Sequence, residues 1–278
     1  MRTRCESSSD FAELLNRIKT LDYTGYAEQY PPFGSWHPFG KAEAKLRKAW
    51  ETDAGHGSEL HLFVNFPFCR TKCEFCFLPV TGAGDNGRSA RSYIDLYLDR
   101  LYKEASFYSP LVRGRRCVTL YIGGGTPSMM TPAEINRFFF ILRSAFNLSA
   151  ADQIALEIHP ESATLKKMKA FAANGVNWTC VGVQSLDQRV LKSARRPQRL
   201  LSVKKAVREL RAAGIAGVNL DLICGLPGQT EERFMADIRA AAALRPDEIH
   251  LNLFMDTPYT LYALRGGGKI DSGAVKKA

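Results

Sequence analysis

The stretch VTLYIGGGTPSMMTPAEINRFFFILRSAFNLSAADQIALEI, residues 118–158, reads as a strand, a glycine-rich turn, a helix and a second strand. Val118–Ile122 and Ile154–Ile158 are short apolar runs rich in β-branched and aromatic residues, the composition of buried strands. Between them, Thr131-Pro132-Ala133-Glu134 supplies a helix start: a hydroxyl to cap the first free amides and an acidic residue at the positive end of the helix dipole. Strand, helix and strand in this order imply parallel strands joined by a right-handed crossover.

The same pattern extends on both sides. HLFVNF (61–66), TCVGV (179–183), VNLDLI (218–223) and IHLNLF (249–254) are further strand candidates. Helical patterns lie near 89–108, 162–174, 199–213 and 229–243, a shorter one begins at Asp187, and Thr230-Glu231-Glu232 repeats the capped start. The expected fold class is α/β: a partial (β/α)6 TIM-like barrel of parallel strands with an irregular N-terminal extension. Nearly continuous apolar runs predict a sheet covered on both faces.

Residues 1–57 form the extension, with an irregular segment over Tyr30–Gly40 and a helix from Lys41 to Trp50. Residues 58–262 form the barrel, and 263–278 are a polar, basic tail or the truncated start of a C-terminal region. A chain of 278 residues with 45% hydrophobic content is long enough for one large core. No apolar run approaches the roughly 20 residues needed to cross a bilayer, and MRTRCESSSDFAELL lacks the apolar stretch of a secretory signal. A cytoplasmic protein with no membrane partner is expected. The formal charge of +10 is compatible with an anionic partner, yet the basic residues are spread over helices, and no arginine-rich tail or aromatic-interleaved basic strip points to nucleic acid.

Of seven cysteines, Cys69, Cys73 and Cys76 crowd into one loop after the first strand, too close together to brace a large domain as disulfides. The spacing Cys-x3-Cys-x2-Cys wraps three thiolates around one centre, and soft thiolates select iron-sulfur clusters or zinc. Structural zinc and electron-transfer clusters take four ligands. Three nearby cysteines leave one iron open to a substrate, or else a distant Cys117 or His61 closes a zinc knuckle. Phe75 before the third cysteine is core or a stacking surface for an adenine ring. Cys5, Cys117, Cys180 and Cys224 read as small buried hydrophobes.

With Phe75 before its last cysteine, the cysteine spacing resembles the radical S-adenosylmethionine (SAM) superfamily. Phe66-Pro67-Phe68-Cys69, Tyr121-Ile-Gly-Gly-Gly-Thr-Pro127, Gly182-Val-Gln-Ser185 and Asn219-Leu-Asp-Leu-Ile-Cys-Gly-Leu-Pro-Gly-Gln-Thr230 resemble its oxygen-independent coproporphyrinogen III oxidase-like branch. The similarity runs in order over roughly residues 60–262. It implies a [4Fe-4S] cluster on Cys69, Cys73 and Cys76 that reductively cleaves SAM. Gly123, Gly124 and Gly125, at a strand's C-terminal end where bare backbone admits a ligand, would with Thr126 meet the amino group and methionyl part of SAM. Glu157 needs a partner inside an apolar strand, and the resemblance makes that partner the cofactor. Gln184 would contact the ribose and Asp221 a nucleoside. Arg196, or its neighbour Arg195, would hold the methionyl carboxylate through two parallel hydrogen bonds. His159 reads as a hydrogen-bonded turn residue.

The resemblance further implies an enzyme that forms a 5'-deoxyadenosyl radical, acts on a tetrapyrrole or other large substrate, and takes electrons from a donor such as flavodoxin or ferredoxin. Alternatives are a radical methyltransferase or cyclopropanase using two SAM molecules, a haem-delivery protein without turnover, and a zinc-bound interaction module. Where the oxidases carry Tyr-x-His-x-Pro-Phe-Cys, this chain has Phe63 and Asn65 in place of the tyrosine and histidine.

Overall fold

The computed structural model describes residues 44, 45, 48, 51, 52, 59–82, 87–149, 151–254 and 260–267. The expected segment Tyr30–Gly40, most of the helix over 41–50, Cys5 and most of the tail lie outside the described residues. By contact the chain divides into Met1–Lys48 and Ala49–Ala278, and the fold that follows is that of the second unit.

In chain order the strands are β1 (Leu60–Phe66), β2 (Phe68–Cys69), β3 (Thr81–Gly82), β4 (Cys117–Gly124), β5 (Gln153–Ile158), β6 (Trp178–Gln184), β7 (Gly217–Cys224) and β8 (Glu248–Leu253). The helices are α1 (Gly87–Tyr108), α2 (Pro132–Ala145), α3 (Leu165–Ala173), α4 (Gln188–Ser193), α5 (Leu200–Ala212), α6 (Glu231–Ala242) and α7 (Leu261–Leu264). Six strands form one parallel sheet in the order β1-β4-β5-β6-β7-β8, so each strand lies beside the one before it and the helices are the crossovers. The outermost strands, β1 and β8, do not pair with each other. This is the partial TIM-like barrel the sequence pattern predicts. The capped start of α2 forms as expected: the Glu134 amide donates to Thr131 Oγ1 at 3.3 Å and the Thr131 amide to Glu134 Oε2 at 2.6 Å.

Alternation along the strands separates two faces. Leu120 and Ile122, Leu156 and Ile158, Val181 and Val183, and Leu220 and Leu222 are buried in one core with Phe138, Phe139, Met168 and Phe171 of the covering helices. On the opposite face Tyr121, Glu157, Cys180, Asn219, Asp221 and His250 occupy alternate positions, with Glu157 beside Cys180, Cys180 beside Asn219, and Asp221 beside His250. Helices cover the first face, and the second carries these polar residues, most of them half-buried. Apolar residues outnumber the alternate polar ones in these runs, so the runs read as nearly continuous while one of their faces is polar. That inner face is open at the edge strands, where Phe63 and His250 are exposed.

Candidate active site

The cysteine loop leaves β1 and is closed by a short clamp. β2 pairs with β3, and the Thr81 amide donates to Pro67 O at 2.8 Å, so residues 70–80 return to where they began. Cys73 is buried, and Cys69 and Cys76 are half-buried. Cys69 Sγ and Thr126 Oγ1 are hydrogen-bonded at 3.3 Å, and Arg196 Nη1 donates to Cys73 Sγ at 3.5 Å. Burial pushes the thiols of Cys69 and Cys76 up, against the pull of the Thr126 hydroxyl on the first and the Leu78 backbone on the second. Glu74 in the same loop is buried and receives Arg195 at 3.1 Å and Arg265 at 2.7 Å.

The glycine segment is stapled to this loop, because the amides of Gly125 and Thr126 donate to Phe66 O and Phe68 O, each at 2.7 Å. A Cβ on Gly125 would run into both of those carbonyls. Gly124 has φ of 101°, and its amide donates to Glu157 Oε2 at 3.0 Å. A Cβ on Gly123 would stand 2.6 Å from the Tyr121 ring and 2.7 Å from Glu157 Oε1. The glycines thus make room for protein groups. Gly124 and Gly125 line the cavity described below, whereas Gly123 is not among its lining residues. Glu157 finds its partners within the chain: besides Gly124, its Oε1 accepts from the Tyr121 hydroxyl at 2.7 Å. Burial pushes its carboxyl up, and these two donors oppose that rise.

At the end of β6, Gln184 takes φ of 68° where the β6–β7 register slips. Among the described residues its Oε1 is buried with no hydrogen-bond partner, as is Asn219 Oδ1 on β7. Strained backbone and orphaned polar atoms of this kind concentrate at ligand sites. Arg196 is 8% exposed, with Nε donating to Gln198 Oε1 at 3.0 Å and Nη2 to Gly182 O. A guanidinium has five N–H donors, so the three engaged leave two free among the described residues. Arg195 is exposed and turned to Glu74, so Arg196 is the arginine that lines the cavity. Phe75 lies under the Arg196 guanidinium, 6.0 Å from centroid to Cζ, and packs on Val190, Ile223, Leu226 and Phe254. Asp221 accepts from Asn219 Nδ2 at 2.7 Å, and burial pushes its carboxyl up.

Cys69, Cys73, Cys76, Phe75, Gly124, Gly125, Thr126, Glu157, Gln184, Arg196 and Asp221 all line one cavity of about 200 Å³. Residues spread over more than 150 positions of sequence meet there. The sequence profile of the radical SAM superfamily matches residues 64–241, well over half of the chain.

The chain belongs to the radical SAM superfamily.

Among curated proteins it is 32% identical over 204 residues to the oxygen-independent coproporphyrinogen III oxidase of Escherichia coli, covering 73% of this chain and 43% of that one. The oxidase of the same name from Pseudomonas aeruginosa is 33% identical over 249 residues, 87% of this chain and 52% of that one. The chain thus spans about half the length of these relatives. The solved structure of coproporphyrinogen III oxidase (HemN) from Escherichia coli superposes with a TM-score of 0.71 at 30% identity, over 82% of this chain and 51% of that one. A radical SAM methyltransferase, TsrM, from Kitasatospora setae shares the fold at 16% identity and a TM-score of 0.51, over 75% of this chain and 39% of that one.

The family's cofactors are a [4Fe-4S] cluster and SAM, and this radical SAM chain carries groups that suit both. Three thiols share one cavity. His61, bonded through Nδ1 to Thr119 Oγ1 at 2.8 Å, and Cys117, whose thiol donates to Thr119 O, are absent from its lining. Among the described residues no three His, Cys, Asp or Glu side chains gather around a single ion position, as a closed zinc site requires. For SAM there are two free donors on Arg196 and the unpartnered Gln184 Oε1, which suit a carboxylate and a hydroxyl.

Two participants escaped the sequence reading. Cys180 lines the cavity instead of sitting in the core, with burial first and then Asp221 raising its pKa to about 11; the alternation Thr179-Cys180-Val181 along β6 was the available signal. Tyr121, quoted only as part of a motif, is the hydroxyl that Glu157 needs. His159 caps the following turn as expected, its Nδ1 accepting from the Glu161 amide at 3.2 Å.

Proposed function

We propose that this chain is the catalytic barrel, residues 58–262, of a radical SAM enzyme that acts on a tetrapyrrole and draws single electrons from a carrier such as flavodoxin or ferredoxin. The observation that carries the reading is the single cavity in which three thiols, two free guanidinium donors and an unpartnered buried amide oxygen converge. When bound, the cluster and SAM supply a one-electron cleavage that gives methionine and a 5'-deoxyadenosyl radical able to take hydrogen from a substrate.

The chain's own contribution is binding, orientation and shielding. Cys69, Cys73 and Cys76 hold the metal centre, and the hydrogen bonds from Thr126 and Arg196 fix two of these sulfurs. Arg196 clamps the methionyl carboxylate while Gly182 O and Gln198 hold the guanidinium plane. Gln184 meets the ribose. Glu157 keeps Tyr121 and Gly124 in place, and its remaining acceptor capacity faces the cavity with Asp221.

Support for a tetrapyrrole comes from the named relatives and from the inner face. Phe63, 63% exposed and stacked on Tyr121 at 5.8 Å, offers a flat apolar surface to a flat macrocycle at the open edge of the barrel. All six described cysteines outside Cys5 are unpaired, which supports a reducing, cytoplasmic setting, and among the described residues no helix is long and apolar enough to cross a membrane.

The test is anaerobic reconstitution. The protein should contain iron and sulfide and release 5'-deoxyadenosine when given dithionite and SAM, and Cys73→Ala should abolish the cluster. Colourless protein with stoichiometric zinc, or a cluster that survives loss of Cys73, would overturn the reading.

A further inference from the structure

A second cavity, about 790 Å³, adjoins the first. Thr71, Thr126, His159 and Arg196 line both and so form the wall between them. On the far side of that wall stand Arg70, Lys192, Arg195 and Arg199, against Glu161 as the lining carboxylate. Arg195 is engaged by Glu74 at 3.1 Å and Arg199 by Glu161 at 3.7 Å. Arg70 and Lys192 are exposed, and neither meets a carboxylate within ion-pair distance among the described residues. Met129, Leu191 and Pro197 give the cavity an apolar floor.

The charge left over calls for an anionic occupant. His159 adds no further charge: burial, then Arg196 and Arg70, push its pKa down to about 3, and with Nδ1 accepting from Glu161 its proton sits on Nε2. The occupant's place says what it is for. Glu157, Cys180 and Asp221 of the inner face line the first cavity and not this one, whereas Arg70 of the cysteine loop lines this one and not the first. A molecule seated here therefore touches the loop that holds the thiols and stays off the inner face.

We propose that this cavity is the docking surface for an acidic one-electron carrier protein, held by Arg70 and Lys192 over an apolar floor. The proposal rests on the reading that the cysteine loop holds a redox cluster. In each encounter the carrier is oxidised by one electron and the cluster is reduced by one; no bond or proton is exchanged. Complementary charge of this kind steers association and makes it salt-dependent.

Reduced flavodoxin serves as the acidic carrier and photoreduced 5-deazariboflavin as an uncharged reductant, with bleaching of the cluster absorbance of the reconstituted full chain followed by stopped flow. Arg70→Glu/Lys192→Glu is the main variant. Lys192→Glu alone, on α4 and outside the cysteine loop, keeps the test valid if the double variant loads poorly. Reduction by flavodoxin should slow about tenfold or more, with a weaker salt dependence than the unaltered chain, while reduction by deazariboflavin stays the same. Equal flavodoxin rates in all three proteins, or equal losses with both reductants, would overturn the docking assignment while leaving the cluster reading intact. So would a variant that loses only the binding of tripolyphosphate, which would make the cavity a small-anion site. Unaltered protein without iron and sulfide would sink the cluster reading and this proposal together.

Discussion

Arg196→Lys separates charge from geometry at the point where the cofactor carboxylate is expected. The guanidinium is held in a buried fork by Gln198 Oε1 and Gly182 O, and it also reaches Cys73 Sγ. A lysine keeps the charge but directs its donors from one point and cannot span the two oxygens at once. One charge-assisted hydrogen bond is then lost, and a buried acceptor is left bare, which costs about 2 kcal/mol. In a domain of this size that lowers Tm by roughly 4–8 °C, a loss compatible with a folded, cluster-loaded protein. The two donors free for a carboxylate are lost as a planar pair, so SAM affinity should fall roughly 10- to 100-fold. Thermal unfolding of the unloaded chain measures the first effect, and calorimetric titration of SAM into the anaerobically loaded chain measures the second. A destabilised variant that binds SAM as tightly as before would refute the carboxylate role and leave Arg196 as a brace for Cys73 and β6. Unchanged stability would refute the network itself.

Other changes test the remaining contacts. Glu157 is held with its pKa above the unfolded value of about 4.3, so its contribution is complete below that value and is lost as pH rises through the folded pKa. Glu157→Gln, which cannot ionise, should gain stability relative to the unaltered chain from pH 4 to pH 8; a constant or shrinking difference in unfolding free energy would contradict the burial described. Gly125→Ala forces a methyl against the carbonyls of Phe66 and Phe68 and should cost about 1–3 kcal/mol; urea unfolding at the original midpoint would show that the segment has slack. Glu74→Gln removes the shared anion of Arg195 and Arg265 and should free residues 260–267, seen as faster amide exchange at Tyr262, whose amide donates to Glu74 O at 3.0 Å; unaltered exchange there would mean that backbone pairing alone holds α7.

The six main strands and their helices were legible because each carries a run long enough to show its period, and because Thr131 and Thr230 mark helix starts with residues whose chemistry has few other uses. What failed did so for lack of length or for reasons of distance. β2 and β3 have two residues each, too few for any alternation, and their pairing follows from the return of the cysteine loop. The contact that secures α7 joins Glu74 to Arg265 across 191 positions, and nothing local to either residue announces it. The left-handed φ at Gln184 belongs to a register slip between neighbouring strands, which one strand's sequence cannot express.

The site itself was legible as a set of positions and less so as a set of partners. Glu157 in an apolar strand demanded a counterpart, and the Tyr121 hydroxyl and the Gly124 amide answer it before any cofactor arrives. The three glycines mark a crowded turn because protein atoms fill the space that side chains would take. Both arrangements have one physical source. The inner face of a partial barrel is polar and open at its edges, so the chain must satisfy its own buried charges there to fold at all. The atoms left over are then the exceptions: two N–H groups on Arg196, Gln184 Oε1, Asn219 Oδ1, and the thiols of Cys69 and Cys76, whose burial disfavours the free anion. A site built in this way meets the demands of its buried carboxylates within the chain and leaves open the groups that suit its cofactors.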